Sequence, residues 1–461
     1  MVQRSTGCSL CVKRRVKCDE RHPGCLRCET YGTSCPGYSR NFKFVTAKPY
    51  RSRRQPKVSS SEDEQSRAQS IPVIDYENVA LEKIVTSRPL GAATLNVIQC
   101  LGRLTDEISQ PFPSNSGYVI SRWFLLLPGS YGQNKTLDFA MKAFTAHHVG
   151  SMTVNKQAVR YARSAYLESL SRLRKSLNDP SEALSSEVNC CVLLLCMYEL
   201  FADTHRGDVW MSHAKGLTQL TKARGLSQYR TEFDGILLKA SRGLIVMHSL
   251  FGGEECLLAS DDWLRVMRGQ NNSDLSVDFD DLVEEFFAHF ILCPGLVHKL
   301  YELKDADFTD PATLVAVSNL QKKALDLQEK LILWHDRFTY TTPVPRDVLS
   351  STADAMYPTA LWYSDINSAT IYCGYYSYMV LIHEILRTSG YSGDHGAMAA
   401  YFRDQICKSV QYTAQGLLGP YRMGFPLRVA WEVADPAVKE WIAGYTKKFS
   451  EFYAVLRAEN F

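Results

Sequence analysis

An all-α protein in three parts is predicted: a small cysteine-rich head over residues 1–45, a polar linker over 46–71 and a large helical body over 72–461. Three observations lead there. Cysteines repeat one spacing twice at the amino terminus, a charged and turn-rich stretch follows, and beyond it apolar residues recur at steps of three and four with few strand signals.

The head carries the most specific pattern. Six cysteines fall within the first 35 residues as Cys8-x2-Cys11-x6-Cys18 and Cys25-x2-Cys28-x6-Cys35. Steps of three and seven put Cys8, Cys11 and Cys18 close to one face of a short helix, because seven residues make about two turns. The second half repeats this with Cys25, Cys28 and Cys35, and Pro23 and Gly24 suit a tight turn that folds one half onto the other. A pseudo-twofold centre of converging thiolates is expected.

A closed structural zinc site takes four tetrahedral ligands. Six cysteines therefore serve one zinc with two left over, or two zincs that share two sulfurs, and the symmetric spacing favours sharing. The few large apolar side chains nearby (Leu10, Val12, Val16, Leu26, Tyr31) cannot bury enough surface to fold the head, so metal is expected to supply the folding energy. A disulfide framework and an iron–sulfur cluster are the alternatives. Against disulfides, residues 1–7 lack the apolar segment of a signal peptide, and the other eight cysteines sit singly or in apolar runs such as Cys190-Cys191-Val192-Leu193. Those read as reduced core thiols of an intracellular protein.

Against an iron–sulfur cluster stand the basic residues between the ligands. From Val12 the chain runs Lys13-Arg14-Arg15-Val16-Lys17, with Val12 and Val16 expected to face inward and the four cations outward. Arginine and lysine can pair with the O6 and N7 edge of guanine in the major groove, while neighbouring lysines hold phosphates. Residues 1–57 carry a balance of +11 and the remainder −8, against +3 for the whole chain, so a basic head precedes an acidic body. The expected partner is double-stranded DNA, bound with affinity that falls steeply as salt rises.

Spacing for spacing, residues 8–35 resemble the fungal zinc binuclear cluster family of transcription factors. The resemblance implies two zinc ions bridged by Cys8 and Cys25, with Cys11 and Cys18 completing one site and Cys28 and Cys35 the other. Pro23 matches the family's loop proline. Arg14 and Arg15 match the positions that read a G/C-rich triplet of the CGG type. Downstream, Cys35-Pro36-Gly37-Tyr38-Ser39-Arg40 and Phe42-Lys43-Phe44-Val45 resemble a run common in one large subfamily. Regulation of RNA polymerase II transcription in the nucleus, with the transcription machinery as a further partner, is what the likeness implies.

The linker is polar and expected to be disordered. Arg40, Lys43, Lys48, Arg51, Arg53 and Arg54 are its candidates, with the end of the head, for phosphate contact or nuclear import, alongside a plain solubilising role. Many members of the resembled family pair two subunits through a coiled coil after the cluster. The candidate positions here for such a homodimer are Ile74, Leu81 and Val85, which Pro72 and Pro89 confine to barely two turns of pattern.

In the body, Ala162, Tyr166, Leu170, Leu173 and Leu177 mark one helix face, ended by Asn178-Asp179-Pro180. Val317, Leu320, Ala324, Leu327, Leu331 and Trp334 mark another, read as a bundle helix in preference to a dimerising coil. The apolar run from Cys190 to Ala202 is shorter than the ~20 residues a bilayer requires and reads as a buried helix, so no membrane association is expected. Trp123-Phe124-Leu125-Leu126-Leu127-Pro128, residues 140–150, Tyr198-Glu199-Leu200, Trp210-x2-His213-x2-Gly216, Arg224-Gly225 and the Pro426-Leu427-Arg428-Val429-Ala430-Trp431 tail resemble the regulatory middle-homology domain of the same fungal proteins.

Catalysis is not expected. His147, His148, His205 and His213 could serve as bases or ligands, yet no HExxH, GxSxG, Gly-rich phosphate loop or paired-carboxylate motif accompanies them. The aromatic run Trp362, Tyr363, Tyr372, Tyr375, Tyr376 and Tyr378 reads first as core and second as the wall of a metabolite-sensing pocket. Asp278, Asp280, Asp281, Glu284 and Glu285 among Phe279, Leu282, Phe286 and Phe287 have the composition of an activation segment or of an amphipathic helix. The main rival reading is a metabolite-sensing or protein-interaction regulator whose basic head binds nucleic acid without sequence preference.

Overall fold

The computed structural model describes residues 8–19, 21, 25–36, 92–109, 119–202, 209–229, 231–268, 278–303, 306, 309–352, 354–416, 418–451 and 453–456. The chain divides into two compact units, Met1–Ile71 and Pro72–Phe461. Several sequence expectations lie outside the described residues: Pro23, Gly24, Tyr38, the linker with its cations Arg40, Lys43, Lys48, Arg51, Arg53 and Arg54, the positions Ile74, Leu81 and Val85, and His205.

The first unit holds two short helices, α1 (Ser9–Arg14) and α2 (Leu26–Thr30). Its interior is made of sulfur: Cys8, Cys11, Cys18, Cys25 and Cys28 are buried, with Leu10 and Cys35 packed against them. Leu26 and Tyr31 are exposed. Such an interior offers little hydrophobic stabilisation, which scales with apolar area removed from water.

The second unit is a helical body. It opens with α3 (Ala92–Ser109), α4 (Val119–Ser130), α5 (Lys135–Met152), α6 (Lys156–Leu177), α7 (Ser186–Phe201), α8 (Val209–Arg224) and α9 (Glu232–Gly252). It continues through α10 (Asp261–Arg268), α11 (Phe279–Phe290), α12 (Cys293–Leu303) and the long α13 (Pro311–Thr341). After two strands, α14 (Ile366–Thr388), α15 (His395–Thr413), α16 (Gly419–Glu432) and α17 (Pro436–Phe449) complete it. Short polar side chains start these helices by accepting otherwise orphaned amides: Asn134 for α5, Asn155 for α6, Ser185 for α7 and Asp310, followed by Pro311, for α13.

The apolar stripes find the core. On α6, Ala162, Tyr166 and Leu173 are buried and Leu170 packs against them, while Leu177 at the last turn is exposed where Asn178 caps the helix. On α13 the buried line runs from Leu320 to Phe338 and faces α11, α12 and α14, so this is a bundle helix. Helix α7 is buried on every side from Val188 to Phe201, and no described helix is long and apolar enough to cross a membrane.

One departure from an all-helical body is a small antiparallel sheet, β1 (Arg346–Leu349) with β2 (Thr359–Trp362), in the register Arg346 opposite Trp362 and Leu349 opposite Thr359. Pro343 and Pro345 follow α13 and cannot continue it, so the chain leaves the helix extended. Asp347 then binds Lys408 of α15 at 2.9 Å, which fastens the sheet to the helices. Strands this short carry almost no periodic signal.

The aromatic run is core, in keeping with its first reading: Tyr363, Tyr372, Tyr375, Tyr376 and Tyr378 are buried, while Trp362 is 40% exposed. Tyr363 pairs with Ser409 at 2.6 Å, and Tyr378 donates to the His289 carbonyl. The acid-rich segment is α11, packed through Leu282, Val283 and Phe286, with Glu284 held by Arg242 at 2.6 Å and Glu285 by Arg337. Asp278, Asp280 and Asp281 are exposed, as the amphipathic-helix reading expects, whereas Glu284 and Glu285 are tied to the body.

Residues singled out as motif-like form an internal joint. The Arg224 guanidinium, at the end of α8, reaches Asp234 Oδ1 of α9 at 2.6 Å and the Leu184 carbonyl before α7 at 2.6 Å. Asp234 also accepts from Ser186 at 2.5 Å and Thr231 at 2.6 Å. Gly225 turns the chain between α8 and α9 with φ 67°. Three helix ends thus meet on one buried ion pair.

His213 and His383 are packed groups. His213 Nε2 lies 2.9 Å from the Tyr166 hydroxyl, and burial pushes its pKa down to about 4. Burial and the neighbouring His395 push His383 down to about 4 as well. Each is neutral in the fold but takes a proton in the unfolded chain below about 6.5, so acid favours unfolding. The melting temperature of the body is expected to be level above about pH 7 and to fall as pH drops from about 6.5 towards 4; a flat profile through that window would contradict neutral burial.

Candidate metal centre and nucleic-acid interface

The head is built on a repeat with an offset of seventeen residues that reaches down to single hydrogen bonds. The Cys11 amide donates to Cys8 Sγ at 3.4 Å, and the Cys28 amide to Cys25 Sγ at 3.4 Å. The Val16 amide bonds the Cys11 carbonyl at 3.1 Å, and the Thr33 amide the Cys28 carbonyl at 3.1 Å. Each half is therefore a short helix that starts on a cysteine and ends in a tight reversal. The reversals need a left-handed residue, supplied by Gly32 at φ 73° in the second half and by Arg15 at φ 56° in the first.

This geometry corrects the expectation that the first three cysteines share a helix face. Helix α1 stops at Arg14, and the turn at Arg15 carries the chain back so that Cys18 Sγ accepts from the Cys8 amide at 3.5 Å. The expectation that Val16 faces inward also fails, since Val16 is 39% exposed beyond the turn.

The sulfurs form two overlapping sets of four. Cys8, Cys11, Cys18 and Cys25 make one, Cys8, Cys25, Cys28 and Cys35 the other, with the sulfurs of each set within 4.8 Å of one another. Cys8 and Cys25 belong to both. Tetrahedral zinc–sulfur bonds of ~2.3 Å place ligand sulfurs ~3.8 Å apart. The Cys8 to Cys25, Cys8 to Cys28 and Cys11 to Cys25 separations are 3.6, 3.5 and 3.6 Å. An all-sulfur donor set at this spacing fits zinc. None of the fourteen cysteines is held in a disulfide. Burial pushes the Cys11 thiol up to about 12 and raises Cys25 and Cys28 too. A bound cation inverts that preference, because a coordinating thiol gives up its proton.

Around the cluster, Lys13, Arg15 and Lys17 are exposed, whereas Arg14 is half-buried with its guanidinium carbon 3.4 Å from the centroid of the Tyr31 ring. The structure thus brings three of the four predicted cations to solvent and stacks the fourth across the pseudo-twofold. Tyr31 was expected only as one of the head's few large apolar side chains, and Asp19 had no expected part. Asp19 Oδ2 accepts the Leu26 amide at 3.1 Å and ties the first half to the start of α2.

The head thus presents two sulfur tetrads that share Cys8 and Cys25, flanked by exposed cations. The chain belongs to a fungal transcription factor family: the fungal specific transcription factor domain matches residues 108–355, and the fungal Zn(2)-Cys(6) binuclear cluster domain, a zinc-binding module, matches residues 6–43. Both are domains of regulators, not of enzymes.

Among curated proteins, the uncharacterized protein AN5342 of Emericella nidulans is 28% identical over 175 residues, 37% of each chain. White-opaque regulator 2 of Candida albicans is 61% identical over 33 residues, 7% of each chain. Arginine metabolism regulation protein II of Saccharomyces cerevisiae is 50% identical over 44 residues, 10% of this chain and 5% of that protein. The chain thus matches well under half the length of these relatives. No solved structure matches it.

Proposed function

We propose that the chain is a sequence-specific DNA-binding regulator of RNA polymerase II transcription that acts in the nucleus and reads G/C-rich triplets of the CGG type. The reading assigns two zinc ions to the head, with Cys8 and Cys25 as bridging ligands, Cys11 and Cys18 completing one site and Cys28 and Cys35 the other. Bound zinc would supply the folding energy of the head and leave the reading of DNA to its side chains. Lys13, Arg14, Arg15 and Lys17 are the DNA contacts, and Arg40, Lys43, Lys48, Arg51, Arg53 and Arg54 further candidates for phosphate or import contacts. Pairing of two copies and docking of the transcription machinery belong to the same proposal.

The observation that carries it is Arg15. Its partner in the repeat is glycine, the residue that adopts a left-handed backbone at no steric cost, whereas an L-residue there costs roughly 1–2 kcal/mol. An arginine kept in that conformation, exposed beside the cluster, has a use for its side chain.

Arg15→Gly separates the two roles. It is expected to leave zinc content unchanged and the head at least as stable, while a selection from random duplexes loses preference at one base, worth about 1–3 kcal/mol for a paired contact. Equal weakening on every sequence would make Arg15 a phosphate contact. For Arg14 the stack on Tyr31 supports a second reading, as the residue that fixes the two halves together. Arg14→Ala that lowers head stability with base preference intact would decide for it. No enriched triplet at all would favour the non-specific nucleic-acid reading of the head.

A further inference from the structure

A cavity of about 430 Å³ opens inside the helical body. Helices α8, α9 and α11 form one side, and α14, α16 and the helical turn Ala454–Leu456 form the other, so its walls come from distant parts of the chain. The lining is dominated by large apolar groups, among them Trp210, Met247, Phe286, Phe290, Phe425 and Tyr453. These are not the aromatics that the sequence had offered as a pocket. An apolar-lined opening of this size falls in the range of pockets that hold small molecules.

The charged residues of the described lining, Lys239, Arg242, Arg422 and Arg428, are all cations. Arg428 is paired with Glu432 at 2.5 Å and Arg422 with the Thr413 carbonyl at 3.2 Å, which leaves Lys239 and Arg242. Lys239 Nζ at 3.3 Å and Arg242 Nη1 at 2.6 Å share the single carboxylate of Glu284, two cations on one acid at the edge of an apolar wall. The Arg242 guanidinium is fixed further by the Phe287 ring, 3.7 Å from its centroid.

Of the three glycines in the wall, Gly374 and Gly424 sit against protein side chains and Gly243 does not. At Gly374 a Cβ would come within 2.9 Å of Phe286, so protein packing accounts for it. At Gly243, inside α9, a Cβ would meet nothing within 4 Å. Glycine in a helix interior is destabilising, and no protein contact asks for it here. What it leaves is open space beside the Lys239 and Arg242 pair.

We propose that this cavity binds an apolar small-molecule carboxylate, its ring or chain against the aromatic wall and its acid beside Lys239. Bound there, it would tie the α9 and α11 side to the α14 and α16 side, which makes the body a sensor of an organic acid. This role goes beyond the DNA-binding reading of the head.

The test is calorimetric titration of the full-length, zinc-loaded protein with 2-naphthoate, 2-naphthalenemethanol and 2-naphthylmethylamine. The acid is expected to saturate one site about tenfold tighter than the alcohol, with the amine weaker still. Lys239→Met should abolish the preference for acid over alcohol and leave the alcohol's affinity within about twofold. Gly243→Leu should fill the space and weaken the acid at least about tenfold, with head zinc content and duplex selection unchanged. Should that variant not fold, Met247→Trp is read in the same way. No saturation by about 1 mM acid, equal affinity for acid and amine, or full binding in the filled variant would each overturn the proposal. A chain that selects duplexes yet ignores naphthoate refutes the cavity's role alone, whereas naphthoate binding without duplex selection refutes only the reading of the head.

Discussion

Serine in place of Cys8 or Cys25 is expected to abolish the folded head, and serine in place of Cys35 to damage it less. The reason is membership: Cys8 and Cys25 each belong to both sulfur tetrads, Cys35 to one. Each of the two also accepts the amide of the cysteine three residues on, so its loss removes a ligand and a helix-starting contact together. Among the described residues no aliphatic interior stands behind the cluster to compensate, since those buried in the head are cysteines. Structural zinc contributes roughly 10–16 kcal/mol in modules of this size, far more than the few exposed apolar groups could. Zinc content by mass spectrometry, read with amide dispersion of the head, gives the check. Equal metal content and equal folding in all three variants would sink the shared-sulfur arrangement, and a strong chelator should reproduce the Cys25→Ser state in the native sequence.

In the body, Arg224→Ala is expected to destabilise by about 3–5 kcal/mol, the cost of leaving one member of a buried ion pair alone. Both side chains are almost inaccessible, at 1% and 7% exposure, so solvent cannot replace the lost partner. The truncation also frees the Leu184 carbonyl before α7 and loosens the meeting of α7, α8 and α9. Replacing both partners, as Arg224→Met with Asp234→Leu, should recover much of the loss, because no buried charge is left unmatched. Urea unfolding of the full chain, followed by a signal from the body, measures both. A loss below about 1 kcal/mol for the single variant would mean that water or a rearranged acid reaches the site.

What could be read in advance follows from locality. The cysteine rhythm, the basic segment inside its first half and the helical stripes on α6 and α13 are short-range patterns, and each surfaced as a physical feature: clustered sulfurs, exposed cations, buried helix faces. The reversal at Arg15 was missed because helix length was inferred from cysteine spacing. A left-handed arginine leaves no compositional trace, although Gly32 at the equivalent place in the repeat could have given it away. The sheet of β1 and β2 escaped for a related reason, being four residues per strand and held by Lys408 from far along the chain. Arg14 is the subtlest case: a cation assigned to solvent by its position on a helix finds a ring across the pseudo-twofold.

By itself the sequence determined the metal chemistry, the charge of the surface beside it and the helical class of the body, since ligand spacing and apolar period act over a few residues. Only the tertiary structure decided which acid neutralises Arg224, and that Lys239, Gly243 and Phe425 border one cavity. Those depend on residues far apart in the chain meeting in space, and packing between helices, not any local preference, brings them together.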